Sequence, residues 1–429
     1  MARNTGSTSI QSTQAASKTA SPDTSIGRLT RVFWVWKLLL LTIAAVSPGP
    51  GYDTSTQILF DRYPSYSESG LAEASRWLAA KLTRWDAIYF TNTAARGVVF
   101  EQEWAFSPVF SKLVSLVAGA CLHVISPGGL FLSAFYGESA FALLNFCGLA
   151  LLVSASPSQN NTSSVIYDAS KLVASGLAFG LASVVRSNGI FSGIILAWDA
   201  VAYLPSLPRI LEQKQWNHLI RLAAILLGGS LILVCQILLQ GTAYVQYCTK
   251  GNWRTWCGWL PPSIYTWVQQ HYWGVGFLRY WTLSNAPLFA LAAPMSVVLL
   301  GTGIVALQRA PLMEVLQNAL AEGKSPDEKI ASADQQRFAG IMARCALPQV
   351  VLAALALTSF HVQIVNRISS GYPLWYIIIA ITIHADKSST MQRGFFLRWL
   401  GQHSTFIVRV MAMYAIVQGG LYATFMPPA

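Results

Sequence analysis

The sequence predicts an all-α polytopic membrane protein. Hydrophobic residues make up 53% of its 429 residues, and the mean hydropathy is +0.44. The apolar residues form runs of about 18 or more rather than amphipathic stripes, which is the pattern of membrane-spanning helices. The formal net charge of +11 fits the Lys- and Arg-rich cytosolic loops of such proteins. Because the basic residues never cluster into a run, the charge argues against a nucleic-acid partner.

The apolar runs predict about eight to ten transmembrane helices. The predicted spans are residues 30–47, 107–126, 129–154, 170–204, 219–242, 286–307, 342–362, 372–386 and 405–424. The run 170–204 is too long for one straight helix, and "VVRSNGIF" (184–191) interrupts it. We therefore interpret this run as one broken helix or two short ones, and count it as one crossing.

Residues 1–29 are rich in Ser, Thr and Ala and predict a disordered cytosolic tail, with a single membrane domain over 30–429. A cytosolic N-terminus fixes the orientation of the spans and puts Lys and Arg mainly in the cytosolic segments. It predicts two long lumenal loops, 48–106 and 243–285, and a cytosolic loop, 308–341.

Two further features bear on this topology. Asn160 and Asn161 are overlapping N-x-[ST] acceptors in a segment that the topology predicts to be lumenal, where they could be glycosylated. Cys248 and Cys257 lie nine residues apart in the second lumenal loop. An oxidising lumen would favour a disulfide between them, and two free thiols remain the alternative.

The stretch "LTRWDAIYFTNTAARGVVFEQEWAFSP" (82–108) collects aromatic and charged residues in the first lumenal loop. Apolar positions at helical spacing over 70–92 predict an interfacial helix on the bilayer surface, which Gly97 would end. An aromatic belt and a substrate-binding role explain the aromatic residues equally well. These residues are Trp85, Tyr89, Phe90, Trp104 and Phe106.

The acids of this stretch are Asp86, Glu101 and Glu103, and an aromatic belt does not explain them. A carboxylate beside apolar surface at a bilayer interface is desolvated, which suits a general base. The alternative is that the acids form ion pairs with Arg84 and Arg96.

The second lumenal loop combines tryptophans with cations. Flat aromatic faces suit a sugar, and cations suit a phosphate, so we favour a ligand-binding role over an aromatic belt. The cations are Arg254, His271 and Arg279. The tryptophans are Trp253, Trp256, Trp259, Trp267, Trp273 and Trp281.

Polar residues within or beside spans are a third group of candidates, since ionisable groups at membrane depth are commonly functional. His361 and Gln363 are predicted at the lumenal end of a span, with Arg367 following, and His361 could equally be a structural interface residue. Arg186 and Asn188 interrupt the long fourth run, where Arg186 could instead snorkel to the membrane surface.

Glu138 lies in the third predicted span, where a helix–helix hydrogen bond is the favoured role. The sequence has no GxGxxG, Walker, HExxH or paired CxxC motif. It therefore predicts neither a nucleotide site nor a tight metal site.

Several of these motifs resemble, in order, a fungal-type version of one family. That family is the second mannosyltransferase of glycosylphosphatidylinositol (GPI) anchor assembly. The matching stretches are "YDTST" (52–56), "RWDAIYF" (84–90), "EQEWAFSP" (101–108), "RSNG" (186–189), the loop of Cys248 and Cys257, "YTWVQQHYWGVGFLRYWTLSNAP" (265–287) and "HVQIVNRISSGYPLWY" (361–376). They span most of the chain from residue 30 to 386. One departure is "SNAP" (284–287), where the family is expected to have Gln and Asn around the proline.

The resemblance implies a GT-C type glycosyltransferase in the endoplasmic reticulum membrane. It implies dolichyl phosphate mannose as the donor, the GPI precursor glycolipid as the acceptor and an α1,6-linked second mannose added in the lumen. We expect no cofactor and no requirement for a divalent metal. We do expect a small membrane partner subunit. The Trp-Asp element of the family falls on Trp85 and Asp86, its acidic-aromatic element on Glu101, Glu103 and Phe106, and Asp53 belongs to the "YDTST" motif.

A β-linked donor and an α-linked product imply inversion by one in-line displacement. We expect Asp86 to be the base, with Glu101 or Glu103 supporting it or positioning the acceptor. Arg254, Arg279, His361 and Arg367 are the candidates for contacting the phosphate. The remaining predicted substrate contacts are Asp53, Trp85, Tyr89, Trp104, Arg186, Asn188, His271 and Gln363.

Two other classes of protein remain open from the sequence. One is a different lumenal glycosyltransferase that uses a polyprenyl-phosphate sugar. The other is a lipid transporter or scramblase, which would be expected to show internal repeats, and we find none.

Overall fold

The structure of the chain is a computed structural model that describes residues 22–49, 54–61, 70–106, 136–155, 162–249, 253–308, 328–384 and 395–424. Every regular element in these residues is helical. The α-helices are α1 (Pro22–Val46), α2 (Ser55–Asp61), α3 (Gly70–Leu82), α4 (Asp86–Arg96), α5 (Gly137–Ser154), α6 (Thr162–Val185), α7 (Gly193–Tyr203), α8 (Leu207–Glu212), α9 (Trp216–Cys248), α10 (Ile264–His271), α11 (Ala286–Gln308), α12 (Glu328–Thr358), α13 (Val365–Ile368), α14 (Leu374–His384) and α15 (Phe395–Ala423). Short 3-10 turns lie at Glu101–Phe106, Ser187–Ser192, Leu204–Ser206, Thr255–Gly258, Leu283–Asn285, Val362–Ile364 and Ser369–Gly371.

Within the described ranges, seven helical segments are long and apolar enough to cross a membrane. They are Gly137–Ser154, Ser164–Val185, Ser187–Glu212, Trp216–Cys248, Leu283–Gln308, Gln336–Thr358 and Phe395–Ala423. A pair bent by 78°, Val362–Gly371 and Leu374–Thr382, would add an eighth. The prediction of an all-α polytopic membrane protein is confirmed, and the predicted span 107–126 lies outside the described residues.

The run predicted as one broken crossing, 170–204, forms two helices that are each part of a separate candidate span. α6 ends at Val185, and the Ser187–Ser192 turn leads into α7. A Cβ at Gly189 would lie 2.5 Å from the backbone nitrogen of Ser183. Only glycine permits this close return of the turn onto α6, and the chain reverses there instead of continuing through the membrane.

The α5–α6 hairpin corrects the predicted direction of the third span. At one end Glu138 meets Arg186, and at the other the carbonyl of Ala155 accepts a hydrogen bond from Arg221 of α9 at 3.1 Å. Arg221 is 27 residues before Cys248, about 40 Å along that helix. The end of α5 at Ala155 is therefore on the face opposite to the disulfide loop.

Asn160 and Asn161 lie outside the described residues, between the end of α5 and the start of α6. The prediction that these two residues are lumenal and glycosylated therefore stays a prediction. Two differences from the predicted topology offset each other. α5 runs in the direction opposite to the predicted one, and 162–203 contains two helices where one crossing was predicted. The predicted directions of the later spans are therefore unchanged.

Helix ends differ from the predicted boundaries in three other places. α1 begins at Pro22, within the predicted tail, and α12 begins at Glu328, within the predicted cytosolic loop. The interfacial helix predicted over 70–92 is two helices, because the chain turns at Trp85, whose φ is 52°. Gly97 ends α4 with a φ of 78°, as predicted.

Glycines bring α6 and α9 into close contact. A Cβ at Gly176 of α6 would lie 2.3 Å from the Cα of Gly228 in α9. Small residues allow such close backbone approach between membrane helices. Nearer the break in the chain, Gln236 of α9 donates to the carbonyl of Ser183 at 2.8 Å. This packing positions the Arg186 end of α6 beside the polar side chains of α9.

Candidate active site

A cavity of about 1050 Å³ lies where the first long loop, the Ser187–Ser192 turn, α9 and the segment after α12 meet. Nine predicted site residues line it: Trp85, Asp86, Tyr89, Trp104, Arg186, Asn188, His361, Gln363 and Arg367. The lining also includes Ile190 and Ile237, which are 38% and 67% exposed on segments that can cross the membrane. The cavity wall therefore reaches the lipid-facing side of the helix bundle.

Asp86 is the first residue of α4, and buried hydroxyl groups fix the turn that precedes it. The Tyr422 hydroxyl of α15 donates to the carbonyl of Leu82 at 2.9 Å and accepts the N–H of Arg84 at 3.3 Å. The Thr56 hydroxyl donates to the carbonyl of Thr83 at 2.7 Å. These bonds hold the strained left-handed backbone of Trp85, which a bulky residue rarely adopts.

Tyr422→Phe removes only the hydroxyl that holds this turn. We expect it to lower the free energy of unfolding by about 1 kcal/mol. We also expect the activity of the site to fall about tenfold, because Asp86 loses its fixed position. Thermal unfolding in detergent and an activity assay measure both effects. Tyr167→Phe, at an exposed tyrosine of α6, is the matched control, and wild-type activity of Tyr422→Phe would contradict the positioning role.

Four charged side chains of alternating sign form a row beside the cavity, and three of them, Asp86, Arg367 and Arg186, line it. Arg367 Nη1 lies 3.3 Å from Asp86 Oδ2, and its Nε lies 3.7 Å from Glu138 Oε1. Arg186 Nη1 lies 2.6 Å from the same Glu138 oxygen. Glu138 is 1% exposed, whereas the side chain of Asp86 is 36% exposed. Of the two acids in this row of charges, Asp86 is therefore the one that a substrate can reach.

Glu138 was assigned to a helix–helix hydrogen bond, and the structure instead places it between two arginines. A buried carboxylate needs such partners, because an unpaired charge away from water is costly. In the sequence, Glu138 stands out only as a single acid in an apolar run. Its partners are distant in the sequence, so the pattern around Glu138 does not reveal them.

His361 and Gln363 contact the same tyrosine beside the cavity. The ring of His361 stacks on Tyr280 with centroids 5.0 Å apart, and Gln363 accepts a hydrogen bond from the Tyr280 hydroxyl at 3.3 Å. Burial, reinforced by Arg367 and partly opposed by Asp86, lowers the pKa of His361. The imidazole is therefore neutral at pH 7. Its buried Nε2 has no hydrogen-bond partner among the described residues and is available to a ligand.

The Ser187–Ser192 turn is fixed by tyrosines from two other parts of the chain. Ser187 donates to the Tyr265 hydroxyl at 2.7 Å, and Asn188 donates to the Tyr372 hydroxyl at 3.1 Å. The turn therefore presents Arg186 and Asn188 to the cavity from a rigid support.

Glu103 does not line the cavity, and its carboxylate is already engaged. It forms an ion pair with Arg96 and accepts the backbone N–H groups of Val99 at 2.8 Å and Phe100 at 3.1 Å. Burial acts to raise the pKa of Glu103, but the Arg96 and backbone hydrogen bonds outweigh it and lower that pKa. An acid that is held ionised by four donors is a poor proton acceptor. The geometry matches the ion-pair alternative.

Glu101 also lies outside the cavity lining, and it joins the two long loops. It accepts hydrogen bonds from Trp267 at 3.3 Å and Tyr272 at 3.2 Å, and pairs with Arg254 at 3.1 Å. The ring of His271 stacks on Trp267 at 4.4 Å. These contacts give Glu101, Arg254 and His271 positions in the loop–loop interface rather than on the cavity.

The second long loop is a packed unit closed by a disulfide between Cys248 and Cys257. Of its six tryptophans, all of which the structure describes, only Trp273 lines the cavity, and Trp256 is fully buried in the loop core. Arg279 is likewise absent from the lining, and Asp53 lies outside the described residues. Trp256, Trp259, Trp267 and Trp273 pack in the loop core, whereas Trp253 and Trp281 are exposed. A ligand-binding role for the tryptophans outside the cavity stays a prediction.

Six polar residues that were not predicted from the sequence line the cavity from α9, α10 and the segment before α5. They are Tyr136, Gln236, Gln240, Tyr244, Tyr265 and Gln269. Gln236 and Gln240 are four residues apart in an otherwise apolar helix, so they share one helix face. That spacing was a signal available in the sequence.

Fold and site together define a multi-pass membrane protein with a charged cavity that is open toward lipid. A family model described as Mannosyltransferase (PIG-V) matches residues 26–122 and 118–429, and the chain belongs to this family. The chain is therefore a mannosyltransferase, and the resemblance noted from its motifs is confirmed.

Individual relatives agree. The chain is 38% identical to GPI mannosyltransferase 2 of Aspergillus oryzae over 95% of this chain and 97% of that protein. It is 37% identical to GPI mannosyltransferase 2 of Aspergillus fumigatus over 95% of each. GPI alpha-1,6-mannosyltransferase 2 of Mus musculus is 28% identical over 55% of this chain and 59% of that protein. No solved structure matches the chain significantly.

Proposed function

We propose that this chain transfers mannose from dolichyl phosphate mannose to the GPI-anchor precursor, forming the α1,6-linked second mannose, on a GT-C type fold. The names of its relatives support this reaction. The observation with most weight is that Asp86 and Arg367 meet in a cavity whose wall reaches lipid. A base and a cation are needed at the reacting atoms, and a lipid-linked donor needs access from the bilayer.

The proposed reaction is a single in-line displacement. The acceptor 6-hydroxyl oxygen attacks C1 of the donor mannose while the bond from C1 to the phosphate oxygen breaks. The phosphate leaves with that electron pair as dolichyl phosphate, and the hydroxyl proton passes to the Asp86 carboxylate. Holding both substrates in this geometry would supply several kcal/mol of the barrier. Inversion converts the β-linked donor into an α-linked product.

Arg367 and Arg186 are the cavity cations proposed to stabilise the departing phosphate. Planar guanidinium groups bind phosphate oxygens through paired hydrogen bonds. The neutral His361 would add a hydrogen bond to a phosphate oxygen rather than a charge. Because the leaving group is a lipid monophosphate, we propose that these residues supply the stabilisation and that transfer continues in the presence of a chelator.

We further propose that the reaction takes place in the endoplasmic reticulum membrane, with the cavity on the lumenal side, and that a small membrane partner subunit binds the chain. Protease protection of a tag placed after Ala429 tests the side, since Tyr422 at the end of α15 contacts the turn before Asp86. Recovery of one small membrane protein with the purified chain tests the partner.

Depletion of the chain from cells that depend on it tests the reaction. We expect a GPI intermediate with one mannose to accumulate, and expression of the wild-type chain to remove it. Accumulation of truncated N-glycan precursors would favour another lumenal glycosyltransferase. Normal intermediates of every kind, with slower lipid movement across the membrane, would favour the transporter alternative.

A further inference from the structure

Glu138 belongs to the row of four charged side chains beside the cavity, but the proposed reaction gives it no role. Its one carboxylate is shared by Arg186 at 2.6 Å and Arg367 at 3.7 Å, and Arg367 in turn is shared with Asp86 at 3.3 Å. Glu138 therefore pairs closely with Arg186 and only loosely with Arg367. Arg367 lies between two acids and has a choice of partner.

This pairing is unfavourable for a base. While the two are in contact, Arg367 occupies an oxygen of the Asp86 carboxylate that would have to accept the hydroxyl proton. That oxygen becomes open to the hydroxyl when Arg367 moves to another acid. Glu138 is the acid already within 3.7 Å of that guanidinium.

We propose that Glu138 is a positioning residue that couples donor binding to the release of Asp86. The phosphate of the donor draws Arg186 away from Glu138, Glu138 then takes Arg367 as its full partner, and Asp86 is left free to accept the hydroxyl proton. This inference rests on the proposed function, in which Asp86 is the base and the donor contains a phosphate group.

Other titratable groups also face Asp86. They are Tyr89 of the same helix, Tyr136 before α5, His361 and Arg367 after α12, and Tyr422 of α15. Within this set, Arg367 carries a permanent positive charge next to Asp86, so its relocation changes the charge beside that carboxylate.

Glu138→Gln is the first test, measured with dolichyl phosphate mannose and a one-mannose GPI acceptor. The amide cannot hold Arg367, which stays on Asp86 when the donor binds. We expect kcat to fall about tenfold or more. The KM for the donor should be unchanged or lower, because Arg186 is freed to bind phosphate.

Glu138→Gln leaves two arginines with less compensation and could impair folding, so a second variant combines it with Arg186→Gln. The pair restores the neutrality of the cluster, since one negative and one positive charge are removed together. Arg186→Gln alone is the reference, because Arg186 is itself a proposed phosphate contact and its removal leaves Glu138 free to take Arg367. A structural, charge-balancing role predicts that the double variant has a kcat equal to or above that of Arg186→Gln. Our proposal predicts a kcat about tenfold below it. Equal kcat values for the double variant and Arg186→Gln overturn the coupling.

Asp86→Asn separates this inference from the proposed function. If Asp86→Asn keeps its activity, the proposed base is wrong and the coupling falls with it. If Asp86→Asn is inactive while Glu138→Gln keeps the wild-type kcat, the base stands and only the coupling is wrong.

Discussion

Asp86→Asn is expected to abolish mannosyl transfer while the protein folds normally. The amide has the same size as the carboxylate but cannot accept the hydroxyl proton. Loss of a general base lowers rates by about 10²–10⁴-fold. Arg367 keeps Glu138, which it shares with Arg186, as a partner in the variant. The expected result is therefore a folded protein without detectable product.

Transfer assays on membranes with equal amounts of chain measure this effect, with melting in detergent as the check on folding. Glu73→Gln is the matched control, because Glu73 is an exposed acid on α3 in the same loop. Near-normal product from Asp86→Asn would remove Asp86 from the role of base.

Gly176→Ala is expected to have the largest effect on stability without touching the cavity. The added Cβ would lie 2.3 Å from the Cα of Gly228, closer than any non-bonded contact allows. α6 and α9 must separate, and overpacking of this kind costs about 3 kcal/mol. Because Arg186 follows the end of α6, the shift also displaces one cation of the cavity.

The yield of monodisperse protein in detergent and its melting temperature measure this effect. Gly229→Ala is the matched control, since it adds the same methyl group to α9 where nothing lies within 4 Å. Equal melting temperatures for the two variants would show that the Gly176–Gly228 contact does not limit the approach of the helices.

The class of fold was predictable because span length and hydropathy are local properties of the sequence. The direction of α5 was not predictable, because a run of apolar residues does not indicate which of its ends lies on which side of the membrane. The break before Asp86 was not predictable for a different reason. The tyrosine that holds this turn, Tyr422, is 338 residues away from Arg84 in the sequence.

In the candidate site, too, features that are local in the sequence were predictable and contacts between distant residues were not. Asp86, Arg186, His361 and Arg367 were found because charged or polar residues stand out in or beside apolar spans. Glu101 and Glu103 were grouped with Asp86 by proximity in sequence, but short-range bonds direct their carboxylates into the loop instead. Glu138 was assigned a structural role, because both of its arginine partners come from other segments of the chain.

Mannosyl transfer in the cavity that contains Asp86 is tested most directly with purified chain in liposomes. The liposomes contain dolichyl phosphate mannose and a one-mannose GPI acceptor, and the product is analysed by mass and by digestion with a linkage-specific mannosidase. We predict one added mannose, removable as an α1,6-linked residue, from the wild-type chain and none from Asp86→Asn. A differently linked product, or equal product from both proteins, would contradict the proposed reaction and its base.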